Sequence, residues 1–132
     1  MNTLSRYQLI AGALCGFVTV ALGAFGAHAL RASLSNEMMA VWQTAVQYQG
    51  LHSAALLLTG LLGLHFPSGR WIRIAGWLML AGIVLFSGSL YLMALSGLIW
   101  LGFITPLGGV CLLAGWAALV FGLLRRQASK TP

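Results

Sequence analysis

The sequence predicts an all-α polytopic membrane protein, a four-helix transmembrane bundle with both termini in the cytoplasm. Composition is the first reason: of 132 residues, 60% are hydrophobic and only 6% are charged. Soluble domains carry about a quarter of their residues as charges. Mean hydropathy is +0.93, and four long apolar stretches alternate with short polar ones. These observations exclude an ordinary soluble globule and predict one transmembrane domain over residues 1–132.

Each apolar stretch is long enough to cross a bilayer, because about 20 helical residues at about 1.5 Å each span the hydrocarbon layer. The predicted spans cover residues of about 7–30, 41–66, 72–95 and 106–124. In the fourth, we expect Thr105 to be the N-cap and Pro106 the first helical residue, whose missing N–H costs nothing there. The segment 96–104 is too apolar for a free loop, and Trp100 predicts that it lies in the interface.

Positive charges predict the orientation of the bundle. The net charge is +6, from seven basic residues and one acid, Glu37. Four spans leave only Arg31 on the outer side and place the other six basic residues on the opposite side: Arg6, Arg70, Arg73, Arg125, Arg126 and Lys130. Because Lys and Arg keep loops in the cytoplasm, both termini are predicted to be cytoplasmic. We expect no nucleic-acid partner, since no basic and aromatic patch lies outside the apolar stretches.

Small residues predict close helix packing. In the first span they recur at spacings of four, three, four and three, at Gly12, Gly16, Thr19, Gly23 and Gly26. This spacing puts them on one helix face, and Gly12 with Gly16 forms a GxxxG pair. The fourth span has a second small face at Ala114, Ala118 and Gly122. The two faces are predicted either to contact each other or to form a homo-oligomer.

Uncharged polar side chains gather in the outer half of the predicted bundle, whereas the inner half is expected to be plain. All four spans contribute to this candidate site for a ligand or partner: His28, Gln43, Gln47, Tyr48, His52, Ser87, Tyr91 and Thr105. Polar groups are costly inside a membrane, so their convergence at one level is the main functional signal. The second span carries them on several sides, so we expect the other spans to surround it or its first turns to lie above the membrane.

His52 lies near the midplane, roughly 16 Å into the second span by the helical rise. It is predicted to be a neutral imidazole bonded to Tyr48, or to Ser87 or Tyr91 of the third span. The other interpretation is a proton-exchanging or ligand-binding group, because histidine changes charge most easily near neutral pH. Haem ligation with His28 is disfavoured, since the two depths differ by more than half the bilayer.

Cofactor chemistry has no support in the sequence. It contains no Cys/His ligand spacing, no paired carboxylates and no nucleophile with a base at a recognisable interval. Cys15 and Cys111 are expected to pack as small apolar groups inside the first and fourth spans. We therefore predict no metal, no cofactor and no enzymatic activity.

Several of the residues above lie in runs typical of one family. The runs are Gly23–His28, Trp42–His52, Leu85–Tyr91 and Ile104–Gly109. They resemble the domain-of-unknown-function 423 family, also called uncharacterised protein family 0382, over nearly the whole chain. The resemblance implies a small four-helix protein of the bacterial inner membrane, and it brings no activity, cofactor or catalytic residue.

Three classes of function are weighed. The leading hypothesis is a non-enzymatic membrane protein whose outer polar residues bind a small amphipathic ligand or a membrane partner. The second is a proton or small-solute transporter or channel subunit using His52, against which stand the absence of a carboxylate within the spans and of an inner polar path. The third, a quinone- or haem-dependent enzyme, lacks any recognisable ligand pattern.

Overall fold

The computed structural model describes residues 2–128, and their side chains through residue 125. In that part of the chain all regular structure is helical, in five α-helices: α1 (Thr3–Phe25), α2 (Asn36–His65), α3 (Arg70–Gly82), α4 (Gly88–Ser96) and α5 (Thr105–Ala128). The all-α prediction is confirmed. Lys130 and the Arg126 side chain, both used for the predicted orientation, lie outside the described residues.

Two π-helical turns make longer rods from these helices. Gly26–Leu30 extends α1, and Ile83–Ser87 joins α3 to α4 without a break, so residues 2–128 form four rods. A 3₁₀ segment, Ile99–Phe103, leads into α5. We call Arg70–Ser96 the third rod.

Polar side chains and one glycine define several helix ends. The Asn2 side chain accepts from the Leu4 N–H at 3.2 Å and begins α1. Ser35 does the same for α2, accepting from Met38 N–H at 3.2 Å. Gly97 ends α4 in the left-handed conformation, with φ of 72°, which a residue without Cβ adopts freely. The Thr105 cap prediction is wrong, because Thr105 is already the first residue of α5 and its hydroxyl pairs with Ser89 Oγ at 2.7 Å.

Three of the rods are long and apolar enough to cross a membrane: Thr3–Leu30, Arg70–Ser96 and Ile99–Arg125. The last includes the 3₁₀ segment, where Trp100 is exposed. α2 has 30 residues, which is about 45 Å of helix. Its polar residues make it less apolar than the other three rods. Several of these polar residues bond to the neighbouring rods.

Glycines let α1 lie directly against α2. A Cβ on Gly12 would be 2.9 Å from Leu57 Cγ, and one on Gly60 would be 2.8 Å from Leu9 Cγ. A Cβ on Gly26 would overlap the Trp42 indole. A Cβ on Gly23 would be in ordinary van der Waals contact with Val46, whereas one on Gly16 would have no neighbour within 4 Å. The small face of the first span therefore packs on the second span of the same chain.

Glycines also let α5 lie directly against the third rod. Cβ atoms on Gly108 and Gly82 would overlap Phe86 and Leu112 respectively, and one on Gly115 would be 2.9 Å from Met79 Cγ. Because Gly122 also meets the third rod, at Ile72, the expected contact between the small faces of the first and fourth spans is not formed.

The bundle is apolar outside and partly polar inside. Its largest apolar core lies between α2, α3 and α5, at Ala55, Ile72, Ala75, Met79, Ala118 and Leu119. Large side chains face outward, including Phe17 at 74% and Leu113 at 72% exposure. Ser5, Gln8 and Thr59 are instead fully buried. This distribution suits a hydrocarbon surrounding, in which helices associate through close packing and internal hydrogen bonds.

Gly12→Ala is expected to destabilise the protein by roughly 1–3 kcal/mol, because the new methyl group forces α1 away from α2. Gly16→Ala is the matched control on the same helix, with nothing within 4 Å of the added atom. It should be neutral or slightly stabilising, since alanine is the better helix former. Thermal unfolding in detergent, followed by circular dichroism, compares the two. Equal losses would contradict the α1–α2 contact.

Candidate functional site

The structure divides the eight predicted site residues into three groups. Ser87, Tyr91 and Thr105 bond to groups of neighbouring rods. Tyr48 and His52 belong to an aromatic cluster between α2, the third rod and α5. Gln43, Gln47 and His28 are exposed near the outer end of α1 and α2. The eight residues do not line one cavity.

His52 is held by two hydrogen bonds and is only 3% exposed. Its Nδ1 is 2.7 Å from the Tyr48 carbonyl oxygen, and Trp116 Nε1 donates to Nε2 at 3.0 Å. Because a carbonyl only accepts and an indole N–H only donates, we assign the neutral ring with its proton on Nδ1. The bond to Tyr48 matches one of the predicted partners, whereas the bonds to Ser87 and Tyr91 are not formed.

Trp116 is a site residue that the sequence did not indicate, because it lies 64 residues from His52 in an otherwise apolar span. Its ring meets the His52 ring edge-on, with centroids 6.0 Å apart. The Tyr48 ring is nearly parallel to the His52 ring, with centroids 6.0 Å apart, and its centroid is 4.5 Å from that of Phe86. The aromatic rings thus fix the orientation of the imidazole.

Gln49 ties three rods together and was also missed. Its Nε2 donates to the Cys15 carbonyl at 3.0 Å, and its Oε1 accepts from the Tyr91 hydroxyl at 2.8 Å. Ser53 Oγ donates to the Gln49 carbonyl at 2.5 Å. Its angular position on the second span was the available signal, since Gln49 lies on a third side, apart from Gln43 with Gln47 and from Tyr48 with His52. Tyr91 is therefore engaged inside the protein.

Ser87 and Thr105 have structural partners as well. Ser87 Oγ, in the π-turn of the third rod, donates to the Ala45 carbonyl at 2.8 Å. Thr105 pairs with Ser89, itself bonded to the Phe86 carbonyl at 2.9 Å. These bonds connect the third rod to α2 and α5, which explains the polar groups without a ligand.

The expectation of a plain inner half is wrong. Gln8 and Thr59 are fully buried there. Gln8 Nε2 donates to the Arg73 carbonyl at 2.8 Å, and Thr59 Oγ1 donates to the Leu56 carbonyl at 2.8 Å. In the sequence, Gln8 stands alone at a span end, whereas Thr59 lies on the same side of the second span as Tyr48 and His52, so the two residues gave no common pattern.

The exposed glutamines border a groove between the outer ends of α1 and α2. It has a volume of about 200 Å³ and is lined by Gly23, Gly26, Ala27, Met39, Trp42, Gln43, Val46 and Gln47. Trp42 Nε1 donates to the Leu22 carbonyl at 3.0 Å, which fixes the indole in the wall. Among the described residues, neither the Gln43 nor the Gln47 amide has a hydrogen-bond partner.

His28 lies on the π-turn beside this groove and is exposed. It has no side-chain partner among residues 2–128, and it is not close to His52 in depth. Both His52 nitrogens are occupied, so the two histidines do not present a haem-ligand pair. Over the described part of the chain, no three His, Cys, Asp or Glu side chains are grouped to hold a metal ion.

Comparison with known proteins decides the family. The model of the family described as "Protein of unknown function (DUF423)" matches residues 22–109. The chain belongs to the DUF423 family. The matched region contains the exposed glutamines, His52, Gln49 and Tyr91.

Named relatives cover nearly all of the chain. The UPF0382 membrane protein of Staphylococcus haemolyticus is 44% identical over 118 residues, or 89% of this chain and 94% of its own. The UPF0382 membrane protein YwdK of Bacillus subtilis is 41% identical over 117 residues, 89% and 95% of the two chains. The UPF0382 inner membrane protein YgdD of Escherichia coli is 44% identical over 125 residues, 92% of each.

These names confirm the expected localisation to a bacterial inner membrane, in a family with no assigned activity. No solved structure matches the chain. The functional interpretation therefore depends on its own geometry.

Trp116→Phe is expected to destabilise the protein by about 1 kcal/mol, because the buried His52 Nε2 loses its donor. Trp100→Phe is the control, since Trp100 is 56% exposed and its indole N–H has no partner among the described residues. Thermal unfolding of both variants in the same detergent measures the difference. If the two midpoints fall equally, the His52–Trp116 bond does not stabilise the bundle.

Proposed function

We propose that this DUF423 protein is a non-enzymatic, four-span inner-membrane protein whose outer groove docks a membrane partner. The observation that carries the proposal is the pair of exposed amides of Gln43 and Gln47, which have no hydrogen-bond partner among the described residues, beside the small-residue surface of Gly23, Gly26 and Ala27. Glutamine amides in a membrane associate helices by hydrogen bonding across the interface, and small residues let the backbones approach.

The size of the groove favours a helix over a small amphipathic ligand. Drug-sized ligands occupy pockets of about 300–1,000 Å³, whereas this groove has about 200 Å³ and is open on one side. A helix presents a ridge of side chains that enters such a shallow depression without being enclosed. The remaining polar members of the predicted site, led by Tyr91 and His52, are already bonded within the chain.

The proposed topology has α2 crossing the membrane, so that both termini are cytoplasmic. Four crossings put Arg6, Arg70, Arg73 and Arg125 on one side and leave Arg31 with Glu37 on the other. If α2 did not cross, Arg31, Arg70, Arg73 and Arg125 would share one side and Arg6 the other, so the charge count fits that topology equally, with the N-terminus outside. The crossing is supported instead by the buried polar side chains of α2, which bond to α1, the third rod and α5. The length of α2, about 45 Å, is enough for the crossing.

The alternative of proton or solute transport through His52 has less support. Both ring nitrogens are engaged, by the Tyr48 carbonyl and the Trp116 indole, so accepting a proton requires that the bond from Trp116 be broken. The described spans contain no carboxylate, since Glu37 lies in the first turn of α2, and a proton relay through a membrane ordinarily includes one.

Photo-crosslinking in native membranes tests the groove. With a photoreactive amino acid replacing Ala27, we expect a discrete protein adduct, because Ala27 lines the groove. The adduct should be lost when Gln43→Leu and Gln47→Leu are combined. Phe17, 74% exposed on α1, is the matched control position and should crosslink to lipid alone. Lipid adducts alone at both positions would overturn the proposed docking function.

A further inference from the structure

We infer that the end of the bundle opposite the outer groove binds the phosphate group of an anionic membrane lipid, through Arg70 and Arg125. This site is separate from the docking groove and does not depend on it. The inference rests on the position of the two arginines at the ends of apolar rods, on the aromatic rings that hold one of them, and on the lack of an acidic side chain at this end.

Arg70 and Arg125 lie together where two apolar rods end. Arg70 begins the third rod, and Arg125 ends the membrane-capable segment Ile99–Arg125. Gly122 precedes Arg125 by about one helical turn, and a Cβ on Gly122 would be 3.0 Å from the Cβ of Trp71, the residue after Arg70. The two arginines are therefore at the same end of the bundle. Ends of membrane-spanning helices lie at the depth of the lipid headgroups.

Aromatic rings hold the Arg125 guanidinium in place. Its Cζ is 4.7 Å from the centroid of the Phe121 ring, within the range of a cation–π contact. The Phe121 ring in turn meets the Trp71 ring edge-on, with centroids 4.8 Å apart. Trp71 and Phe121 are 36% and 39% exposed, so this aromatic surface faces the surroundings of the bundle. Stacking on a ring leaves the N–H groups at the guanidinium edge available, and their planar geometry fits the oxygens of a phosphate.

The chain supplies no carboxylate side chain to pair with these arginines. Glu37 is the only acidic residue of the sequence, and it lies in the first turn of α2, about 45 Å of helix away from this end. Neither the Arg70 nor the Arg125 guanidinium has a hydrogen-bond or ion-pair partner among the described residues.

The charge of this end is therefore complementary to an anion from outside the chain. Phosphodiesters of anionic lipids are concentrated at headgroup depth and attract basic residues there. Orientation by positive charge requires no particular position of a guanidinium, whereas the rings of Phe121 and Trp71 fix where the anion binds. These observations favour a lipid headgroup over a diffuse attraction to the membrane surface.

Native mass spectrometry of the detergent-purified protein with added lipid tests the inference. Dioleoylphosphatidylglycerol should be retained in preference to dioleoylphosphatidylcholine, which has no net charge. Arg70→Gln and Arg125→Gln should each weaken binding of the anionic lipid about fivefold, the usual contribution of one basic residue near such a lipid. Arg31→Gln removes an exposed arginine at the opposite end, and this matched control should leave binding unchanged.

Phe121→Leu separates a built site from attraction by net charge, because it keeps both arginines and removes the ring beneath Arg125. It should weaken binding of the anionic lipid at least twofold. All four variants change exposed side chains, and unchanged thermal unfolding shows that the fold is intact. Equal retention of the two lipids would overturn the site. Equal weakening by Arg31→Gln, or none by Phe121→Leu, would also overturn it, since binding would then follow net charge alone.

Glycerol 1-phosphate distinguishes a lipid from a soluble phosphate ester, because it carries the phosphate without acyl chains. Added at the concentration of the lipid, it should not displace dioleoylphosphatidylglycerol. Displacement that depends on Arg70 and Arg125 would overturn the lipid as occupant and identify a soluble phosphate ester in its place.

Discussion

The bundle depends on covering α2. In hydrocarbon a polar group without an internal partner costs several kcal/mol, and α2 carries Gln49, His52, Ser53 and Thr59 at buried positions. Each of these side chains is hydrogen-bonded within the chain. α1 and the third rod flank α2, and α5 reaches it through the Trp116 indole. The three apolar rods thus cover the buried polar groups of α2.

Main-chain carbonyls are the acceptors that make this possible. Side chains of one rod donate to carbonyls of another at Cys15, Leu22, Ala45 and Arg73. Such bonds need backbones close together, which explains why glycines mark the helix contacts. A groove remains at the outer ends of α1 and α2, and the amides of Gln43 and Gln47 beside it have no hydrogen-bond partner among the described residues. Function is therefore proposed where the internal covering ends.

Sequence reasoning predicted the rods well because length and apolarity are local properties. The small face containing Gly12 was recognisable, but its partner was not, because spacing identifies a face and not the helix opposite. For the same reason the sequence did not indicate Trp116 as the donor to His52, or Gln49 as a site residue. Both roles are set by contacts between residues far apart in the sequence. Thr105 illustrates the reverse error: its position fitted a local cap, but Ser89 of the third rod competed for the hydroxyl.

The central claim, that α2 crosses the bilayer within this cover, is tested most directly by labelling its two flanking loops. Single cysteines at Ser33→Cys and Ser68→Cys, in a chain without Cys15 and Cys111, are treated in intact cells with a maleimide that does not cross the inner membrane. The account predicts labelling of Ser33→Cys from outside, and of Ser68→Cys only after the membrane is permeabilised. Labelling of both positions from the same side would contradict it.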